Sequence, residues 1–172
     1  MLAAVVVAVA VVVGAIVSSG GGGADRAPFA AAPAFALPAV DSGQPSVSLP
    51  AAPGRPVVLT FFAAWCGPCT RELPVIERLW RSVQAEGPGA PTVIGVDELD
   101  QRPDGPDLVR RTGVTFPSGY DHDGGVGRRW AVDGLPITAF IAPDGRVVAY
   151  HRGELDAAQL DVLVHRLVAA RQ

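Results

Sequence analysis

Apolar residues crowd the start of the chain without interruption and then reappear in short, periodic groups. From Met1 to Val17 every residue is apolar apart from Gly14, and no charge occurs before Asp25. As a helix this run would span about 26 Å at 1.5 Å per residue, close to the roughly 30 Å hydrocarbon core of a bilayer. Core helices of soluble domains keep a polar stripe, which this run lacks. Signal-peptide cores run about 7 to 15 residues behind a basic segment. This run is longer and has no basic flank, so residues 1–18 read as a retained transmembrane anchor in preference to a cleaved signal segment. Asp25 and Arg26 cancel just beyond it, so flanking charge sets no orientation. Residues 19–34, mostly Ser, Gly, Ala and Pro, read as a flexible linker.

The periodic groups lie in residues 35–172. Val57-Val58-Leu59-Thr60-Phe61-Phe62 is a continuous, β-branched and aromatic run of the kind buried on both faces of a sheet. It stops at Trp65-Cys66-Gly67-Pro68-Cys69, after which Leu73, Ile76, Leu79, Trp80 and Val83 recur at helical spacing. Cys66 therefore falls at a helix start, and Pro74 should kink that helix. A second apolar strand is predicted over 92–96, and a short helix over 107–111 stopped by Gly113. Strands over 137–141 and 147–150 flank a Pro143-Asp144-Gly145 turn and form a hairpin. Asp156 is an N-cap with Gln159 at the capping-box position, ahead of Leu160, Leu163, Val164 and Leu167 on one helical face. The order strand, helix, strand, helix, hairpin, helix predicts an α/β domain: a partly parallel sheet with helices on both faces, closed by an antiparallel hairpin.

Composition narrows the chemistry. A chain of 172 residues suits a single domain. Its net charge of −3, with every basic residue an Arg and no basic block, argues against nucleic-acid binding. Two cysteines cannot make a disulfide-dense scaffold or supply four zinc ligands. They can make one disulfide or one redox pair. With Cys66 at a helix N-terminus, unpaired N–H groups and the helix dipole favour its thiolate, the nucleophile of thiol–disulfide exchange. Cys66 should attack and Cys69 resolve. Several other readings compete. A zinc half-site would need two more ligands, and His122, His151 and His165 lack metal-site spacing. A purely structural bridge would close too short a loop to gain much chain entropy. Cys69-Thr70-Arg71-Glu72 resembles the peroxiredoxin pattern, but Cys66 stands where that pattern needs a Thr.

Phe35-Ala36-Leu37-Pro38, Val47-Ser48-Leu49, the stretch from Pro56 through Ala63-Ala64 to Trp65-Cys66-Gly67-Pro68-Cys69, and Gly134-Leu135-Pro136-Ile137-Thr138-Ala139-Phe140-Ile141 with Asp144-Gly145 occur in that order. Together they resemble the TlpA/ResA-type, AhpC/TSA-related thiol–disulfide oxidoreductases. The resemblance implies a thioredoxin fold with a central mixed sheet, an extracytoplasmic domain on a single-pass N-terminal anchor in the cell membrane, and dithiol–disulfide exchange without a cofactor or metal beyond the Cys66–Cys69 disulfide. It implies that Pro136 is the cis-proline packed against the cysteines, that Leu135 faces the substrate, and that Trp65, Gly67 and Pro68 flank the nucleophile. It implies protein thiols and disulfides as substrates, among them the cysteines of apocytochrome c, and a membrane thiol carrier as electron donor. The Gly67-Pro68 dipeptide is that of thioredoxins and favours a reductant over a disulfide-forming oxidant.

Two departures matter. Thr60 stands where cytoplasmic thioredoxins carry a buried Asp, and there is no Lys to partner one. In the ResA-like branch an acid just after the following strand takes the proton of the second cysteine. Asp97, Glu98 and Asp100 lie in that segment; counting from Val93 favours Asp100, although such clusters are more often exposed loops. A thioredoxin-like copper metallochaperone is the alternative from another class, but such relatives use a longer cysteine spacing and a nearby His. Tyr120-Asp121-His122-Asp123-Gly124-Gly125 hints at a calcium loop, yet Val132 occupies the position of its twelfth-residue Glu, so a plain turn is expected.

Overall fold

The computed structural model describes residue 27 and residues 30–87 and 89–170. The expected anchor or signal segment, 1–18, lies outside them. No helix among the described residues is long and apolar enough to cross a membrane.

Strand β3 (Val57–Phe62), which follows the short strands β1 (Phe35–Leu37) and β2 (Val47–Leu49), is buried at every position. Because side chains alternate along a strand, Val58 and Phe62 enter one core while Val57, Leu59 and Phe61 enter another. β3 pairs in parallel with β4 (Thr92–Glu98) and antiparallel with β6 (Ile137–Ile141). β5 (Ser118–Asp121) adds in parallel outside β4, and β7 (Val147–Arg152) antiparallel outside β6. The sheet order is β5-β4-β3-β6-β7. Its parallel part and closing hairpin follow the order expected from the sequence, with β5 as an unforeseen edge strand.

One face carries α1 (Gly67–Val83), α2 (Asp104–Thr112) and α4 (Ala157–Ala169). Leu73 and Ile76 of α1, Leu108 of α2 and Leu160, Leu163 and Leu167 of α4 share the core built on Val58 and Phe62. α1 continues through Pro74, which lacks the N–H that would meet the Thr70 carbonyl. α2 is longer than its apolar spacing suggested, because Asp104 and Asp107 favour its first turn while Gly113 in the left-handed conformation ends it. The capping box of Asp156 and Gln159 is present in both directions.

The other face departs from the expectation of helices on both sides. Among the described residues its only helix is the short α3 (Gly125–Arg129). The rest is covered by an antiparallel ribbon of β1 (Phe35–Leu37) and β2 (Val47–Leu49), whose Phe35, Val47 and Leu49 pack with Trp130. The expected linker 19–34 also ends earlier than read. Ala32 is buried and its N–H donates to the Gly145 carbonyl at 2.8 Å, the Val147 N–H donates to Ala30 O at 3.1 Å, and Trp130 Nε1 donates to Pro33 O at 3.0 Å. The folded unit thus includes residues 30–34. Such segments are too short for periodicity to show, and the bonds that fix them come from residues far along the chain.

The β6–β7 turn carries a further constraint. Gly145 has φ +88°, and a Cβ there would lie 1.8 Å from the Ala51 carbonyl oxygen. A Gly145→Ala substitution is therefore strained in both backbone and packing, and is expected to destabilise the fold by about 2 kcal/mol or more. The urea-unfolding midpoint measures it; an unchanged midpoint would show that the turn tolerates a side chain.

Candidate active site

β3 ends at Phe62 and the chain turns through Ala63-Ala64-Trp65, closed by a Cys66 N–H bond to the Ala63 carbonyl at 3.1 Å. Cys66 is the N-cap of α1, and its Sγ accepts the Cys69 N–H at 3.2 Å. Pro68 occupies the first turn, where a missing N–H costs nothing. Cys66 and Cys69 form a disulfide, with Cα atoms 5.3 Å apart. Cys66 is 4% exposed and Cys69 0%, so an incoming sulfur reaches Cys66 alone and Cys69 serves as the internal partner. Trp65 beside them is 64% exposed.

Pro136 precedes β6, whose Ile137 pairs with Phe61, so it lies beside the strand end that delivers the cysteines. The Leu135–Pro136 bond is cis. Leu135 is half-buried against both cores, and the Pro136 carbonyl is already taken by the Gly153 N–H at 2.9 Å. Thr60, at the position of the thioredoxin Asp, is buried and accepts the Thr138 hydroxyl at 3.4 Å, leaving no titratable group there.

Asp97, Glu98 and Asp100 do not form an exposed acidic loop: all three are buried. Asp97 and Glu98 end β4 and face opposite sides of the sheet. Asp100 Oδ2 accepts the Ala64 N–H at 2.7 Å, two residues before Cys66, and Tyr120 donates its hydroxyl to the Asp100 carbonyl at 2.9 Å. Burial pushes Asp97 up to about 9, with the hydrogen bond to Asp100 and that group's charge adding; Arg102 opposes and Asp104 adds. Burial pushes Glu98 up to about 7, helped by the charge and hydrogen bond of Asp121 and then Asp123, and opposed by Arg128.

Glu72 escaped the sequence reading as a site residue. It lies at i+3 from Cys69, so it falls on the buried stripe of α1, and that spacing was the available signal. Its Oε1 accepts the Leu155 N–H at 2.9 Å, tying α1 to the segment before α4. Burial pushes its pKa up to about 8 against that hydrogen bond, with Glu154 adding. Above it, Arg71 and Glu154 form an exposed ion pair. Burial works against the charge of Glu77 too, but bonds from the Thr115 hydroxyl and N–H and from Arg81 outweigh it and hold its carboxyl below the usual range.

The remaining candidates are used locally. His122 meets the Tyr120 hydroxyl, His151 lies on β7 and His165 bonds within α4, so the three histidines belong to separate elements. In the loop read against calcium, Asp121 Oδ2 accepts the Val126 and Gly127 N–H groups, both at 2.8 Å, and Asp123 accepts that of Gly125 at 2.9 Å. Those carboxylates start α3.

A carboxyl whose folded pKa is raised contributes stability that is complete below its unfolded value and is lost as pH rises through the folded one. For Glu72 that window runs from 4.5 to about 8. Unfolding free energy should therefore fall between pH 5 and pH 9, and Glu72→Gln should flatten the fall by an amount on the order of 3 kcal/mol. Urea titrations of both proteins across this range test it, and parallel curves would refute it.

Over residues 29–150 the chain matches the AhpC/TSA family. It is 32% identical over 138 residues to the thiol-disulfide oxidoreductase ResA of Oceanobacillus iheyensis, a match covering 76% of this chain and 68% of that protein. Among solved structures, a putative thiol:disulfide interchange protein DsbE from Chlorobium tepidum superposes with a TM-score of 0.72 at 26% identity, covering 84% of this chain and 99% of that one. MTB DsbF superposes with a TM-score of 0.67 at 30% identity, covering 77% and 94%. With the disulfide at a helix N-terminus of a thioredoxin-like sheet, these likenesses identify the chain: it belongs to the AhpC/TSA family and is a thiol–disulfide oxidoreductase carrying the Cys66–Cys69 pair.

Proposed function

We propose that this oxidoreductase works outside the cytoplasm as a reductant of protein disulfides, with the cysteines of apocytochrome c among its clients and a membrane thiol carrier as its electron donor. The observation that carries the direction is the charge around the cysteine turn. Strong oxidants of this chemistry have a stabilised reduced form, and cations near the sulfur lower a thiol's pKa. Here the carboxyl bonded to the turn is that of buried Asp100, and Arg71, which reaches the Gly67 carbonyl at 3.4 Å, is paired with Glu154. A carboxyl so placed disfavours a resting thiolate and favours the disulfide, which makes the dithiol a better electron donor.

In the forward reaction the Cys66 thiolate attacks a substrate disulfide and releases one substrate thiol. Cys69 then gives up its proton and attacks Cys66 Sγ, releasing the second thiol and closing the Cys66–Cys69 bond. Asp100, bonded to the turn through Ala64, is the proton acceptor in this reading. Trp65 and the Gly67-Pro68 turn supply the surface around Cys66. Because the Pro136 carbonyl is engaged by Gly153, a backbone contact from the cis-proline loop to an extended substrate falls to Leu135. The apolar run of residues 1–17 supports a membrane-anchored location, where protein disulfides persist.

Equilibration of the full chain with glutathione or dithiothreitol buffers should give a reduction potential near or below the thioredoxin value of about −270 mV. A value near the roughly −120 mV of a strong oxidant would reverse the proposed electron flow. Cys66→Ser should abolish disulfide reduction, and Cys69→Ser should accumulate a mixed disulfide at Cys66. A deletion strain should lose c-type cytochromes and regain them with the wild-type chain and not with Cys66→Ser. Intact cytochromes in the deletion strain would remove apocytochrome c as the client.

A further inference from the structure

Asp97 has no place in the mechanism so far. It is fully buried at the penultimate position of β4, and neither oxygen meets an N–H or O–H donor among the described residues. The group at hydrogen-bonding distance is the carboxyl of Asp100, itself an acceptor unless a proton lies between the two. The fold holds Asp97 there tightly. A Cβ on Gly105, in the first turn of α2, would lie 1.9 Å from Asp97 Oδ2, so only a glycine leaves room for the carboxyl. Asp100 in turn is fixed by the Ala64 N–H at 2.7 Å, a bond that a carboxylate accepts.

We propose that Asp97 and Asp100 share one proton, and that Asp97 is a positioning residue: it keeps that proton and donates it toward Asp100, which thereby stays ionised in a buried site and available for the Cys69 proton. The inference rests on the reading of Asp100 as the acceptor for Cys69. Two unprotonated carboxylates so close would repel, whereas a proton held between them turns the repulsion into a hydrogen bond. The high pKa of Asp97 agrees with its holding the proton. The other groups acting on Asp97 are Arg102 from the following loop and Asp104 from α2; Tyr120 is its neighbour on β5, and its strand partner Phe62 shares a core with Cys66 and Cys69.

During turnover, Cys69–SH passes its proton to Asp100 as its sulfur attacks Cys66 Sγ. The bond from Cys66 to the substrate sulfur breaks, and the departing thiolate takes up the proton. One protein dithiol is oxidised and one substrate disulfide reduced, and the carboxyl pair returns to its one-proton state.

The test uses the reduced full chain and 5,5′-dithiobis(2-nitrobenzoate). Attack by Cys66 releases one coloured thiolate and resolution by Cys69 releases a second, so the two steps appear as separate phases. Asp97→Leu should leave the first phase intact and slow the second about tenfold at pH 7. The pH profile of that second phase should shift as well, because the two carboxyls no longer share a proton. Asp97→Asn, whose amide N–H replaces the acid's O–H as donor, should restore most of the second phase and undo the shift. This comparison holds even if Asp97→Leu folds poorly, because an Asn variant that resolves as slowly as wild type lacking Asp100 would overturn the proposal. A wild-type second phase in Asp97→Leu, or equal slowing of both phases, would also overturn it. Asp100→Asn separates the two levels: an unchanged second phase there removes Asp100 as the acceptor, whereas a slow one beside a normal Asp97→Leu removes only the role of Asp97.

Discussion

Where β3 stops determines what can happen at this end of the molecule. The strand has hydrogen-bonded neighbours on both sides and buries all six of its side chains, so neither its register nor its end can shift without exposing Phe61 or Phe62. Four residues past that end, Cys66 caps α1, and α1 is held in turn by Leu73 and Ile76 in the core. The nucleophile is therefore fixed by packing and not by its own few contacts. The same strand positions the partners of the pair: β6 brings Pro136 to one side, and β4 brings Asp97 and Asp100 to the other.

The second theme is buried acid. Glu72, Asp97 and Glu98 all carry raised pKa values with burial as the first cause, and none has a lysine or arginine bonded to its carboxyl in the way that Arg81 meets Glu77. Each is sealed by backbone in place of a counter-ion: Glu72 by the Leu155 N–H, Asp97 by Gly105, and Glu98 by Gly127, where a Cβ would lie 2.1 Å from its Oε1. A carboxyl packed in this way is cheaper to hold neutral than charged. The arrangement suits chemistry that moves one proton for each sulfur transferred, and the cation beside the cysteine turn, Arg71, has its charge met by Glu154.

The covering of the sheet's second face shows how local pattern and tertiary packing divide the work. Trp130 packs at a tilt against Phe61 with ring centroids 5.8 Å apart, donates to Pro33 O and lies beside the phenol of Tyr150, which donates to the Trp130 carbonyl at 2.7 Å. This one indole joins the N-terminal segment, α3 and β7, elements that share no local sequence signal. It explains how strands of three residues and a proline-rich lead-in become part of the fold: they are ordered by what they cover.

The sequence by itself determined the elements whose pattern is long enough to carry a period: the buried β3, the amphipathic α1 and α4, the β6–β7 hairpin and the capping box of Asp156 and Gln159. It also determined the chemistry of the cysteine pair, because residue type, spacing and a helix start are all local properties. Only the tertiary structure decided the rest. Asp97, Glu98 and Asp100 look like a solvated loop in one dimension, since three acids in four residues satisfy no apolar period. They are buried because α2 folds back over β4 and because glycines at 105 and 127 leave space for carboxyls. Glu72 is concealed for the same reason, as its burial depends on the segment before α4 arriving more than eighty residues later to supply one N–H. Long-range packing sets desolvation, and desolvation sets which acids can hold or release a proton, so that part of the site could not be read from neighbours in sequence.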